Sequence, residues 1–129
     1  MQRVSDLMSA TLLTVEADAS LIEAVRTMND RRVGAALVLA DGRLVGVFTE
    51  RDVLRAVAEG LGPESTVADW MTRGPETIDP DESAEHAAVV MIHGGFRHLP
   101  VVDAGKVVGM LSIRDLMRQV LADAAPRGV

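Results

Sequence analysis

The sequence predicts an α+β fold: two pseudo-symmetric β-α-β-β-α repeats packed sheet to sheet into one module. Three observations carry this prediction. Sliding the chain by 63 residues without a gap matches residues 4–57 to 67–120 with 16 identities over 54 positions. Within each copy, apolar runs of strand length alternate with segments of helical spacing. The third is size: one copy of about 60 residues buries too little of its own surface to be stable alone, so two copies are expected to share a core.

The matched positions lie in every part of the repeat. Val4, Asp6 and Met8 fall on Val67, Asp69 and Met71; Thr14, Asp18 and Ser20 fall on Thr77, Asp81 and Ser83. Ala24, Met28, Val38 and Gly42 fall on Ala87, Met91, Val101 and Gly105. Val45, Gly46, Arg51, Asp52, Arg55 and Val57 fall on Val108, Gly109, Arg114, Asp115, Arg118 and Val120. A period of this size marks an internal duplication. The repeats are placed at 1–62 and 63–129.

In the first copy, "LLTV" (12–15) reads as a strand. "DASLIEAVRTMNDRR" has helical spacing, with Leu21, Ala24, Val25 and Met28 on one face. Ser20 and Glu23 form a capping-box pattern at its start, and Arg31 and Arg32 suit the negative end of the helix dipole. "AALVLA" and "LVGVF" are two buried strands around Asp41-Gly42, a hairpin signal. A helix from 50 to 59 closes the unit, and "EGLGPEST" (59–66) reads as the linker. In the second copy, Thr66 and Asp69 open a short turn in "VADWM". "ETI" (76–78) is the first strand, and 83–93 is a helix stopped by Gly94-Gly95. "HLPVVD" and "VVGML" pair around Ala104-Gly105, a helix runs from 113 to about 124, and the tail "APRGV" is expected to fray.

Composition excludes several functions. The chain has 129 residues, no cysteine, and 13 Lys and Arg against 19 Asp and Glu, for a formal net charge of −6. No disulfide framework is available, which fits a reducing, cytoplasmic setting. The negative balance argues against nucleic-acid binding, and Trp70, Phe48 and Phe96 are too few for a stacking platform. No run of about 18 apolar residues predicts a membrane span, and no signal peptide is read at the start. No Walker loop, GxGxxG or nucleophile elbow occurs, so no catalytic residues are assigned and the chain is not expected to be an enzyme. His86 and His93, seven apart on one helix, are read as exposed surface rather than metal ligands, and no metal site is expected. Arg73 is read as part of a solvated loop.

"GVFTERD" (46–52) and "GMLSIRD" (109–115) are the chemically informative stretches. Each runs an apolar strand directly into a helix, with Thr49 or Ser112 followed three residues later by Asp52 or Asp115. One reading is helix capping: the hydroxyl satisfies a backbone N–H and the acid favours the positive end of the helix. The other is ligand binding. A strand-to-helix junction presents free backbone N–H groups to anions, and an ionised Asp accepts from two neighbouring hydroxyls, as on a ribose. Arg51 and Arg114 sit next to each Asp, within reach of a phosphate.

Taken in order and twice over, "VSDLM" and "VADWM", "HLPVVD", "GVFTERD" and "GMLSIRD" resemble the CBS domain, a repeat that occurs in pairs called Bateman modules; the resemblance covers about residues 4–122. It implies a regulatory module that needs no cofactor and takes an adenosine nucleotide (AMP, ADP or ATP) or S-adenosylmethionine as a regulatory ligand in two clefts. For one cleft it implies Asp115 on the ribose, Ser112 near the phosphates with Arg114, Met110 along the wall, and Leu13, Thr14 and Val33 around the base. For the other it implies Asp52, Thr49, Arg51 and Val47, with Glu76, Thr77 and Phe96 from the second copy. Arg97, His98 and Pro100 are placed beside that second cleft. The copies differ, "RHLPVVD" against "GAALVLA", so one good site is favoured over two equal ones. The resemblance also implies a homodimer through outer helices, for which Val53, Leu54, Val57 and Leu61 supply apolar surface, and an effector protein acting in trans. A ligand-free structural dimerisation or scaffold module is the alternative.

Overall fold

The computed structural model describes residues 2–124. In chain order the elements are α1 (Val4–Leu7), β1 (Thr14–Glu16), α2 (Leu21–Arg31), β2 (Ala35–Ala40), β3 (Arg43–Thr49), α3 (Glu50–Glu59), α4 (Val67–Trp70), β4 (Thr72–Arg73), α5 (Ala84–Gly94), β5 (His98–Asp103), β6 (Lys106–Ser112) and α6 (Ile113–Ala124). This is the expected α+β repeat, with a one-turn helix near the start of each copy, α1 and α4, the second at the predicted "VADWM" turn. The tail expected to fray, 125–129, lies outside the described residues.

The chain forms two compact units. One spans Leu12–Pro75; the other joins the residues up to Thr11 with those from Glu76 onward. Each unit thus takes its one-turn helix from the other sequence repeat. The exchange is fixed by backbone hydrogen bonds that recur 63 residues apart. Val67 N–H donates to Ala19 O at 3.0 Å, as Val4 N–H does to Glu82 O at 2.8 Å. Likewise Ala68 N–H bonds Ala17 O and Ser5 N–H bonds Pro80 O, at 2.8 and 3.0 Å.

In the 12–75 unit, β1 runs parallel to β2, β2 antiparallel to β3, and β3 antiparallel to β4. Among the described residues of the other unit, only β5 and β6 form a regular pair. Ile78 makes a single parallel bridge to Val101, and Ser9 a single antiparallel bridge to Met110. The predicted strand 76–78 is therefore reduced to one bridge. The causes are Pro100 and Pro80, which replace Leu37 and Ala17 of the first copy; Ala17 N–H donates to Leu39 O at 2.9 Å, and Pro80 has no N–H for Val102. In the first unit Leu37 N–H donates to Leu13 O at 2.9 Å. Pro100 stands 63 residues after Leu37 and has no N–H to offer Glu76. The predicted strand 12–15 begins two residues later and ends one later, at 14–16.

Both hairpins turn as the sequence suggests, with Asp41 and Gly42 at φ 51° and 76° and Ala104 and Gly105 at φ 49° and 82°. Both first turn positions are left-handed, which strains alanine far more than Asn or Asp. Ala104→Asn is expected to stabilise the chain by about 0.5–1 kcal/mol, read as a higher urea midpoint at unchanged m-value. Two further features repeat. The strand register skips Val45 and Val108, the extra residue of a β-bulge in each hairpin. Next to each bulge lies a glycine, Gly46 or Gly109, whose missing Cβ leaves room for Met71 or Met8.

Each unit has its own apolar core. One gathers Leu13, Leu21, Ala24, Met28, Ala36, Val38, Phe48, Ala56, Val67 and Met71. The other gathers Val4, Ile78, Ala87, Met91, Leu99, Val101, Leu111 and Leu116. Capping sets the helix starts. Glu23 N–H donates to Ser20 Oγ at 3.3 Å, and His86 N–H to Ser83 Oγ at 3.0 Å. At their ends, Arg32 (φ 55°) and Gly95 (φ 72°) adopt left-handed geometry. Of the four apolar residues predicted for an outer face, Val53 and Leu61 pack against the core instead, while Leu54 and Val57 are 71% and 62% exposed.

Candidate functional site

Two strand-to-helix junctions carry the candidate chemistry. At the end of β3 the chain turns into α3 at Thr49, and Asp52 folds back over the turn. Its Oδ2 accepts from Thr49 N–H at 2.9 Å and from the Thr49 hydroxyl at 3.2 Å. Its Oδ1 accepts from Arg55 Nη2 at 3.2 Å. Three donors thus converge on a carboxylate whose side chain is 5% exposed.

The junction of β6 and α6 has the same backbone path and a looser carboxylate. Asp115 Oδ2 accepts from Ser112 N–H at 2.8 Å, and the Ser112 hydroxyl accepts from Asp115 N–H at 3.1 Å. Unlike the Thr49 hydroxyl, it forms no hydrogen bond to the carboxylate. The guanidinium of Arg118 stands 4.0 Å from Oδ1, beyond hydrogen-bond distance. Asp115 is 18% exposed at its side chain, and among the described residues its Oδ1 accepts no hydrogen bond.

The other predicted residues fall around these junctions. In the 12–75 unit, Leu13 is buried, Val33 packs against the core, and Thr14 is exposed on β1. Val47 is buried opposite Leu37, and Arg51 is exposed in the first turn of α3. In the other unit, Met110 lies opposite Pro100 and bridges to Ser9; His98 lies opposite Ser112. Phe96 packs on the core and fills the space where a side chain on Gly94 would stand. The Arg97 carbonyl accepts from Ile113 N–H at 2.8 Å, which ties the start of β5 to the α6 junction. Arg97, Arg114, Glu76 and Thr77 are exposed. The residues predicted to share a cleft come from both units, and each unit holds one junction with its own neighbours.

Position 34 and its counterpart at 97 differ in charge. Gly34 leaves room for the Glu50 side chain, which a Cβ there would meet. In the second copy the matching residues are Arg97 and Ile113. One junction therefore carries an acid where the other carries a base.

Arg55 is the residue that sequence reasoning passed over. Its Nη2 reaches Trp70 O at 2.9 Å as well as Asp52, and its guanidinium lies 5.7 Å from the Trp70 ring centroid. The available signal was the identity of Arg55 and Arg118 across the repeat, each one helical turn beyond its Asp. Among the described residues, no three His, Asp or Glu side chains are grouped to hold a metal ion, and no helix is long and apolar enough to cross a membrane.

Known proteins share this architecture over nearly the whole chain. An uncharacterized protein of Methanocaldococcus jannaschii, MJ1225, is 32% identical over 123 residues, 95% of this chain. The chain spans 44% of the length of that relative. The CBS domain protein PAE2072 from Pyrobaculum aerophilum, solved with AMP bound, matches with a TM-score of 0.85 and 33% identity, over 95% of this chain and 97% of its own. The CBS domain pair of protein MJ0100, solved with methylthioadenosine and S-adenosylmethionine, matches with a TM-score of 0.88 and 27% identity, over 95% of this chain and 98% of its own. The CBS domain model matches residues 4–59 and 67–122, the two copies found by the 63-residue shift. The chain belongs to the CBS domain family, as a pair of CBS domains.

Proposed function

We propose that the chain is a regulatory module, without catalysis of its own, that binds an adenosine ligand (AMP, ADP, ATP or S-adenosylmethionine). The observation that carries this reading is the open Oδ1 of Asp115 at a strand-to-helix junction. A charged acceptor at the positive end of a helix suits a ribose diol. Ser112 and Arg114 face the same junction in sequence, and Arg97 supplies positive charge near it. The AMP, methylthioadenosine and S-adenosylmethionine complexes of the similar proteins support the ligand class.

The ligand state passes to a partner protein or to an oligomer, in a cytoplasmic setting. Leu54 on α3 and Met117 and Leu121 on α6 are exposed apolar residues suited to a homodimer. A ligand-free scaffold is the second reading, favoured by one fact: both carboxylates already cap their helices. Thermal unfolding separates the two. A bound ligand at 100 times its dissociation constant adds about 2.7 kcal/mol, several degrees in melting temperature. A rise with at least one of the four ligands supports the sensor. No rise with any of them supports the scaffold.

A further inference from the structure

We propose that Arg55 is a latch that closes Asp52 to ligand, so that the chain binds one adenosine ligand tightly, at Asp115, and a second only weakly. The inference rests on the adenosine-binding reading above and specifies which junction serves it. A ribose diol needs two unoccupied carboxylate lone pairs, one for each O–H donor, and the three donors on Asp52 leave about one. At Asp52 the Arg55 guanidinium already donates to Oδ1, and the Thr49 hydroxyl adds a second donor to Oδ2. A diol must therefore displace a charge-assisted hydrogen bond before it can form its own.

Trp70 holds the latch shut. Arg55 is fixed at three points: Asp52 Oδ1, the Trp70 carbonyl and the face of the Trp70 ring. The second copy lacks this anchor. The residue 63 positions before Trp70 is Leu7, which offers a cation no aromatic face. Arg118 is accordingly 72% exposed and 4.0 Å from Asp115, while Arg55 is 50% exposed and hydrogen-bonded. Half of the Arg55 side chain faces solvent, so it has room to swing out.

Calorimetric titration of the intact chain with AMP and, separately, with S-adenosylmethionine tests this, followed alongside by Trp70 fluorescence. The wild type is expected to show one tight and one weak site. Arg55→Gln is expected to strengthen the weak site about tenfold or more, the equivalent of one hydrogen bond to a charged group. Arg118→Gln leaves the tight site within about twofold, because no hydrogen bond is lost. Trp70→Leu, which copies Leu7, opens the weak site without touching the arginine. Trp70 emission is expected to change only as the second equivalent binds, since only that ligand moves Arg55. Two equal sites in the wild type, or a weak site unmoved by both Arg55→Gln and Trp70→Leu, overturns the latch and leaves the adenosine-binding reading standing. Absence of binding to any of these proteins overturns both.

Discussion

Asp115→Ala is expected to weaken binding of the adenosine ligand by more than about a hundredfold, the effect of losing two hydrogen bonds to a charged acceptor. The variant should still fold. Its carboxylate satisfies only Ser112 N–H, and losing a cap of this kind costs about 1 kcal/mol. Asp115→Asn sharpens the comparison, because its carbonyl oxygen retains an acceptor for Ser112 N–H while the negative charge is lost. Calorimetry should show weak binding by Asn as well as by Ala, with the Asn variant the more stable in urea. Unchanged affinity in both would remove Asp115 from the site. Asp52→Ala is expected to behave in the opposite way: more stability lost, because a buried three-donor carboxylate disappears, and less of the tight binding.

Phe48→Ala is expected to cost about 3–5 kcal/mol, a large part of the stability of a chain this size. Phe48 is fully buried and lies across the hairpin from Ala36. The second copy fills the same two places with Leu99 and Leu111, also a cross-strand pair. A small residue facing a large one has been exchanged for two of middle size, with the summed volume roughly conserved. The pair should therefore be coupled. Phe48→Leu alone leaves a void, and Ala36→Leu alone overpacks. The double variant, which copies the second repeat, should be more stable than the sum of the singles by about 1 kcal/mol or more. Urea midpoints for the four proteins measure that coupling, and strict additivity would show that the two positions do not share one packing volume.

Much of this molecule could be read from the chain. The 63-residue echo gave the two repeats, and the strand-to-helix junctions at Asp52 and Asp115 were visible as motifs. Helix α3 and strands β2 and β5 begin and end where the residues predicted, because capping hydroxyls, Asp-Gly turns and apolar runs are local signals. Even the loss of the strand at 76–78 was written in the sequence, at Pro80 and Pro100, but its meaning needed the partner strand. A missing N–H matters only when the carbonyl it would have met is known.

Pairing across distance stayed hidden for the same reason. Repeat boundaries follow the order of residues, whereas the compact units follow hydrogen bonds between segments far apart in the chain, such as Val4 with Glu82 and Val67 with Ala19. The contrast between the two carboxylates is of this kind too. The sequence determined that Asp52 and Asp115 would occupy equivalent places, since both follow the same local pattern. Only the tertiary structure decided how they differ. Arg55 closes on Asp52 because Trp70, fifteen residues away on another helix, holds it there, and Asp115 has no such neighbour.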